Sequence, residues 1–146
     1  MSHSLLVTVH LLAAIAFVGT VFFEVVMLAG VRRKLSPDAM RDVERAIGDR
    51  ATRVMPWVLL TLYAAGIAMA WRYREALSQP LASSFGALLA LKIVLAISVF
   101  GHFATAMVWR RRGVLNGRRS RRLHYSVFCH VLAIVVLAKA MFAGLW

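Results

Sequence analysis

The stretch FGALLALKIVLAISVFGHFATAMVW, residues 85–109, decides the fold. It carries one charge, Lys92, and ends against Arg110-Arg111-Arg112. A helix rises about 1.5 Å per residue, and about 20 apolar residues cross a bilayer core of about 30 Å. Residues 85–109 therefore read as a membrane span. The same pattern recurs at residues 5–31, with one charge at Glu24, at 54–71, with none, and at 123–146, with one at Lys139. Trp71, Trp109 and Trp146 each mark a span end, where interfacial aromatics belong. The sequence thus predicts an all-α membrane protein. Its expected form is a single domain, residues 1–146, built as an antiparallel bundle of four transmembrane helices.

Composition supports this. Hydrophobic residues make up 61% and charged residues 16% of 146, yet the net charge is +12. One soluble core of this size cannot hide so much apolar side chain. A disordered basic tail is excluded because it would have few aliphatics. The single cysteine, Cys129, excludes an intrachain disulfide and a Cys-x-x-Cys redox or zinc site. Met1-Ser2-His3-Ser4 lacks the basic start of a signal peptide, and the first apolar run is too long for one, so a retained helix is expected.

The loops set the orientation. Residues 32–53 hold seven Lys or Arg, residues 110–122 another seven, and residues 72–84 only two. The positive-inside rule then places the first and third loops in the cytoplasm and both termini in the periplasm, for a multi-pass protein of a bacterial inner membrane. Arg110–Arg112 and Arg118–Arg122 read as topology anchors that also touch anionic lipid headgroups, rather than as a nucleic-acid site. Ser36-Pro37-Asp38 is a helix start. Ala39, Met40, Val43, Ala46 and Ile47 follow at helical spacing. A short amphipathic helix on the cytoplasmic surface, ending near Gly48, is predicted between spans one and two.

Ionisable groups inside a span cost about 2.5–3.5 kcal/mol at mid-bilayer and are functional candidates for that reason. They are His10, Glu24, Lys92, His102, His130 and Lys139. Counted from the nearest span end, Glu24, His102 and His130 lie about 10 Å below the cytoplasmic side. His10, Lys92 and Lys139 lie about 8–10 Å below the periplasmic side. On straight helices His10 and Glu24 share one face, as do Lys92 and His102, whereas His130 and Lys139 are opposed. Lys139 is expected to snorkel outward, freeing His130 to face inward.

Two histidines at one depth on helices three and four suit the bis-imidazole ligation of haem b, with His102 and His130 as the axial pair and Gly101 leaving room for a flat macrocycle. In that reading Glu24 fixes an imidazole tautomer or meets the basic groups of loop one. His10 and Lys92 form a proton-handling or anion-binding pair. Cu(I) is the alternative, using the same histidines with Met27 and Met107. Hydrogen-bonded packing histidines, or members of a proton relay, are the non-metal alternative. A structural subunit of a larger membrane complex, or a homo-oligomer, also fits the composition.

His10-Leu11-Leu12-Ala13-Ala14 followed by Phe17-Val18-Gly19 resembles the opening helix of the CopD-domain family. Ser84-Phe85-Gly86-Ala87-Leu88-Leu89-Ala90-Leu91-Lys92 resembles that family's third helix. With similar helix spacing, the resemblance covers nearly all of the chain and implies copper handling. The same His and Lys are similar to those of the HemJ family of membrane protoporphyrinogen oxidases, which bind haem b. That resemblance implies His10 as a haem-ligand or catalytic candidate and Lys92 as a catalytic one. His102 falls where that family often carries a histidine. The chain departs from the HemJ pattern with Phe17 in place of a Trp and Cys129-His130 in place of an Asn-Glu pair. The overall expectation is a haem-dependent membrane redox protein served by a quinol or another small donor.

Overall fold

The computed structural model describes residues 2–141. Among these there is no strand, and four helices are long and apolar enough to span a membrane. The all-α class expected from the sequence is therefore found. The chain divides into two compact units, Met1–Met69 and Ala70–Trp146.

In the first unit, α1 runs His3–Phe22 and starts where the Ser2 hydroxyl accepts the Leu5 N–H at 3.3 Å. A π-turn, Phe23–Met27, then joins it to α2, Leu28–Arg32. Glu24, the acid of the first span, sits in that π-turn.

Ser36 caps the next helix, its hydroxyl accepting the Ala39 N–H at 3.3 Å. The amphipathic segment that follows is helical as expected, but it is not a separate helix. It forms the first half of α3, which runs unbroken from Pro37 to Ala70. One interior glycine costs only about 1 kcal/mol relative to alanine, too little to end a helix at Gly48. Pro56 lies inside α3 as well, and membrane helices accommodate the backbone group it frees. At 34 residues α3 is about 51 Å long, well beyond a bilayer core of about 30 Å. Its first turns are tied down by an ion pair from Arg32, at the end of α2, to Glu44. Met40 is buried here and Leu28 in α2, while Asp38–Arg41 and Asp42–Arg45 pair along the exposed side.

In the second unit, a 3-10 turn at Trp71–Tyr73 leads into α4, Arg74–Ser78, and another at Pro80–Ala82 leads into α5, Ser84–Arg111. Gly86 explains why the first turn of α5 begins as it does. A Cβ there would stand 2.9 Å from the Ala76 carbonyl oxygen and 3.0 Å from that of Pro80. Both obstacles are backbone, so neither can swing away. Gly86→Ala is expected to destabilise the protein by about 1–3 kcal/mol, read as a lowered thermal midpoint in detergent; an unchanged midpoint would contradict this packing.

Gly113, at φ 68°, ends α5 in the left-handed conformation that glycine adopts without strain. The side chain of Asn116 caps α6, Gly117–Ala140, by accepting the Arg119 N–H at 2.9 Å. The Arg119 guanidinium lies 5.4 Å from the centre of the Trp109 ring and donates to the Val114 carbonyl at 2.8 Å. One arginine of the basic run thus holds the turn between α5 and α6. The predicted interfacial Trp146, and the last turns of the fourth span, lie outside the described residues.

Candidate functional site: a paired histidine centre between α5 and α6

Helices α5 and α6 are joined by a short turn and carry His102 and His130, both half-buried. The two imidazoles meet, with ring centres 5.2 Å apart and planes inclined at 56°. Each ring is held at both nitrogens. His102 Nδ1 lies 2.7 Å from the Ser98 carbonyl oxygen on its own helix, and His130 Nδ1 lies 2.7 Å from the Ser126 carbonyl oxygen on its own. A carbonyl oxygen only accepts, so both Nδ1 atoms carry the proton. With the proton on Nδ1, each Nε2 is left to face a serine hydroxyl of the other helix. Ser126 Oγ donates to His102 at 2.9 Å, and Ser98 Oγ donates to His130 at 3.1 Å.

The four residues therefore close a ring of hydrogen bonds, Ser98–His102–Ser126–His130. Across the two helices the partners run in opposite senses: residue 98 faces 130, and residue 102 faces 126. This register is that of an antiparallel pair. It also shows that the histidines are offset by one helical turn rather than level. Depth counted from the apolar ends Trp109 and Leu123 centres the pair two residues too late. The helices end at Arg111 and restart at Gly117, because basic residues continue the helix beyond the apolar run.

Beside His102, a groove of about 370 Å³ is lined by Ser98, Gly101, His102, Thr105 and Leu123. Four of these lie on one face of α5, at i, i+3, i+4 and i+7. The groove is open beside Gly101, where a Cβ would meet nothing within 4 Å. His102 lines the groove and His130 does not.

The other expected site residues lie apart from this centre or in the other unit. Lys139 is exposed, and Lys92 is half-buried on α5 ten residues before His102. Glu24 and His10, both half-buried, belong to the first unit. His10 Nδ1 lies 3.0 Å from the Leu62 carbonyl oxygen of α3. Among the described residues no group of three or more His, Cys, Asp and Glu side chains is gathered as a metal cluster.

Ser98 and Ser126 are absent from a search confined to ionisable groups. Their signal was nonetheless in the chain as a repeated Ser-x-x-x-His spacing: Ser98 with His102, Ser126 with His130, and also Ser120 with His124. In the last pair it is the Ser120 hydroxyl, not the carbonyl, that meets His124 Nδ1, at 3.4 Å. No family model matches this chain, and no match is found among curated proteins or solved structures.

Proposed function

We propose that this is a small multi-pass membrane protein that holds haem b at the histidine centre of α5 and α6 and takes part in redox chemistry within the membrane. The observation that carries the reading is the state of the two rings. Metal-ligating histidines commonly donate the remote ring N–H to a carbonyl, which fixes the tautomer and raises ligand basicity. His102 and His130 both do so.

His102 is the ligand that the groove exposes. To hold haem it would give up its contact with the Ser126 hydroxyl, which can turn to a carbonyl of its own helix. Gly101 leaves the space for the macrocycle. Ligation by both histidines at once asks more of the fold. The ring centres are 5.2 Å apart, and each Nε2 is turned to a serine hydroxyl of the other helix rather than to a shared point between the rings. Each ring now points at the facing helix, so both would have to turn. His130 therefore serves as the positioning partner: its Nε2 holds Ser98, whose carbonyl orients His102. Haem b supplies one-electron chemistry, and a quinol or another small membrane donor suits an open groove at this depth. Resemblance to the HemJ family supports the same reading, with Lys92 as the catalytic candidate and His10 as the rival ligand, whereas resemblance to the CopD family supports copper. The charge of the loops supports an orientation with both termini periplasmic, for a protein of a bacterial inner membrane.

Copper is the second reading. It is favoured by the nearness of a second imidazole, since imidazole is a copper ligand, and it too would need both rings to turn. Titration of detergent-purified protein with haem and, separately, with Cu(I) under reducing conditions tests the two. The haem reading expects one haem per chain. Binding of Cu(I) without haem would overturn it in favour of copper, and binding of neither would overturn both.

A further inference from the structure

We infer that Gly66 is a positioning residue that seats His10 on the backbone of α3 and thereby fixes the ring as an Nε2 base. His10 reaches out of α1 to the Leu62 carbonyl oxygen, 52 residues away in sequence, at 3.0 Å. Leu62 is one turn before Gly66, so in a regular helix this same carbonyl also accepts the Gly66 N–H. A carbonyl oxygen has two lone pairs and can serve both donors. The ring can reach it only by lying against the helix backbone.

Gly66 is where that approach happens. A Cβ added there would stand 3.3 Å from His10 Cε1 and 3.5 Å from His10 Nδ1. The nearer distance is tighter than ordinary van der Waals contact, and the crowded atoms are those of the ring edge that makes the hydrogen bond. A methyl at residue 66 therefore acts on the Nδ1 contact directly. By contrast, Gly19, Gly30 and Gly101 have open space where a Cβ would be.

The consequence is chemical. With Nδ1–H committed to a carbonyl, Nε2 carries the ring lone pair and is the atom that meets a proton donor or a metal. The first unit thus holds its own orientated imidazole, built differently from the pair in the second unit. There each ring leans on a carbonyl of its own helix, whereas His10 takes its carbonyl from a different helix. This inference rests on α1 and α3 alone and stands whether or not haem occupies the other centre.

The test is nitrogen NMR on protein labelled with 15N-histidine, in detergent. His10→Asn assigns the His10 signals among the five histidines. In the unmodified protein, His10 is expected as the Nδ1–H tautomer, with an unprotonated Nε2 and a slowly exchanging Nδ1 proton. An Nε2–H tautomer there would overturn the inference with no variant needed. In Gly66→Ala the His10 signals are expected to move to a mixture of tautomers with faster proton exchange, while those of His102 and His130 stay in place and report an intact fold. Unchanged His10 signals in Gly66→Ala would overturn the positioning role. If Gly66→Ala does not fold, the double variant His10→Ala/Gly66→Ala serves instead: removing the ring is expected to restore folding, and a double variant that stays unfolded would overturn the contact between residue 66 and the His10 ring.

Discussion

His102→Ala is expected to yield folded protein that retains no haem. The substitution removes the one imidazole that lines the groove beside Gly101. It leaves the Ser126 hydroxyl without its cross-helix acceptor. Hydrogen bonds across membrane helices are worth about 0.6–2 kcal/mol each, so losing the contacts of one ring should not unfold the pair. His130→Ala is expected to keep the haem and change its spectrum, because Ser98 then loses the ring that holds its hydroxyl. Haem content per chain and the visible spectrum of the two variants decide between the two histidines. If His130→Ala strips the haem as completely as His102→Ala, the level bis-imidazole pair suggested by depth alone is the ligand set, and the groove-based assignment fails.

The second large effect is expected in membrane orientation. Residues 110–122 contain seven arginines and no acid. Loop one differs, since three of its positive charges are paired: Arg32 with Glu44, Arg41 with Asp38 and Arg45 with Asp42. Acids contribute little to the positive-inside rule, but only loop three presents an unmixed basic run. Replacing Arg110, Arg111, Arg112, Arg118, Arg121 and Arg122 by glutamine, while keeping Arg119 on Trp109, removes that run without removing the contact that holds the turn. The loop should then lose its hold on the cytoplasmic side. A Val114→Cys reporter in a Cys129→Ala background reads this, Val114 being exposed. The parent should resist a membrane-impermeant thiol reagent in intact spheroplasts, and the glutamine variant should be labelled. Equal protection of both would show that this loop does not set the orientation.

The spans were legible because they rest on length and apolarity alone, and a bilayer imposes both. The Ser36 cap was legible too, since it needs only local chemistry. Continuity of α3 was not, because Gly48 looks like an end in a local reading and is overridden once Met40 buries and Arg32 pairs with Glu44. The π-turn at Phe23–Met27 has no residue signature at all in this chain. At the site, the two histidines could be named from their cost in a span. Their one-turn offset could not, because it depends on where helices end rather than where hydrophobicity ends. Ser98 and Ser126 were hidden by their neutrality, although their spacing to each histidine was in plain view. The Leu62 carbonyl is a backbone atom, and no side-chain pattern points to it.

The central claim is that the His102–His130 centre holds haem b, and the most direct measurement is the visible spectrum of the protein purified in detergent from cells supplied with a haem precursor. A Soret band is expected in the oxidised protein, shifting on reduction with dithionite, and lost in His102→Ala. A colourless protein, or a haem spectrum that survives His102→Ala unchanged, would contradict it.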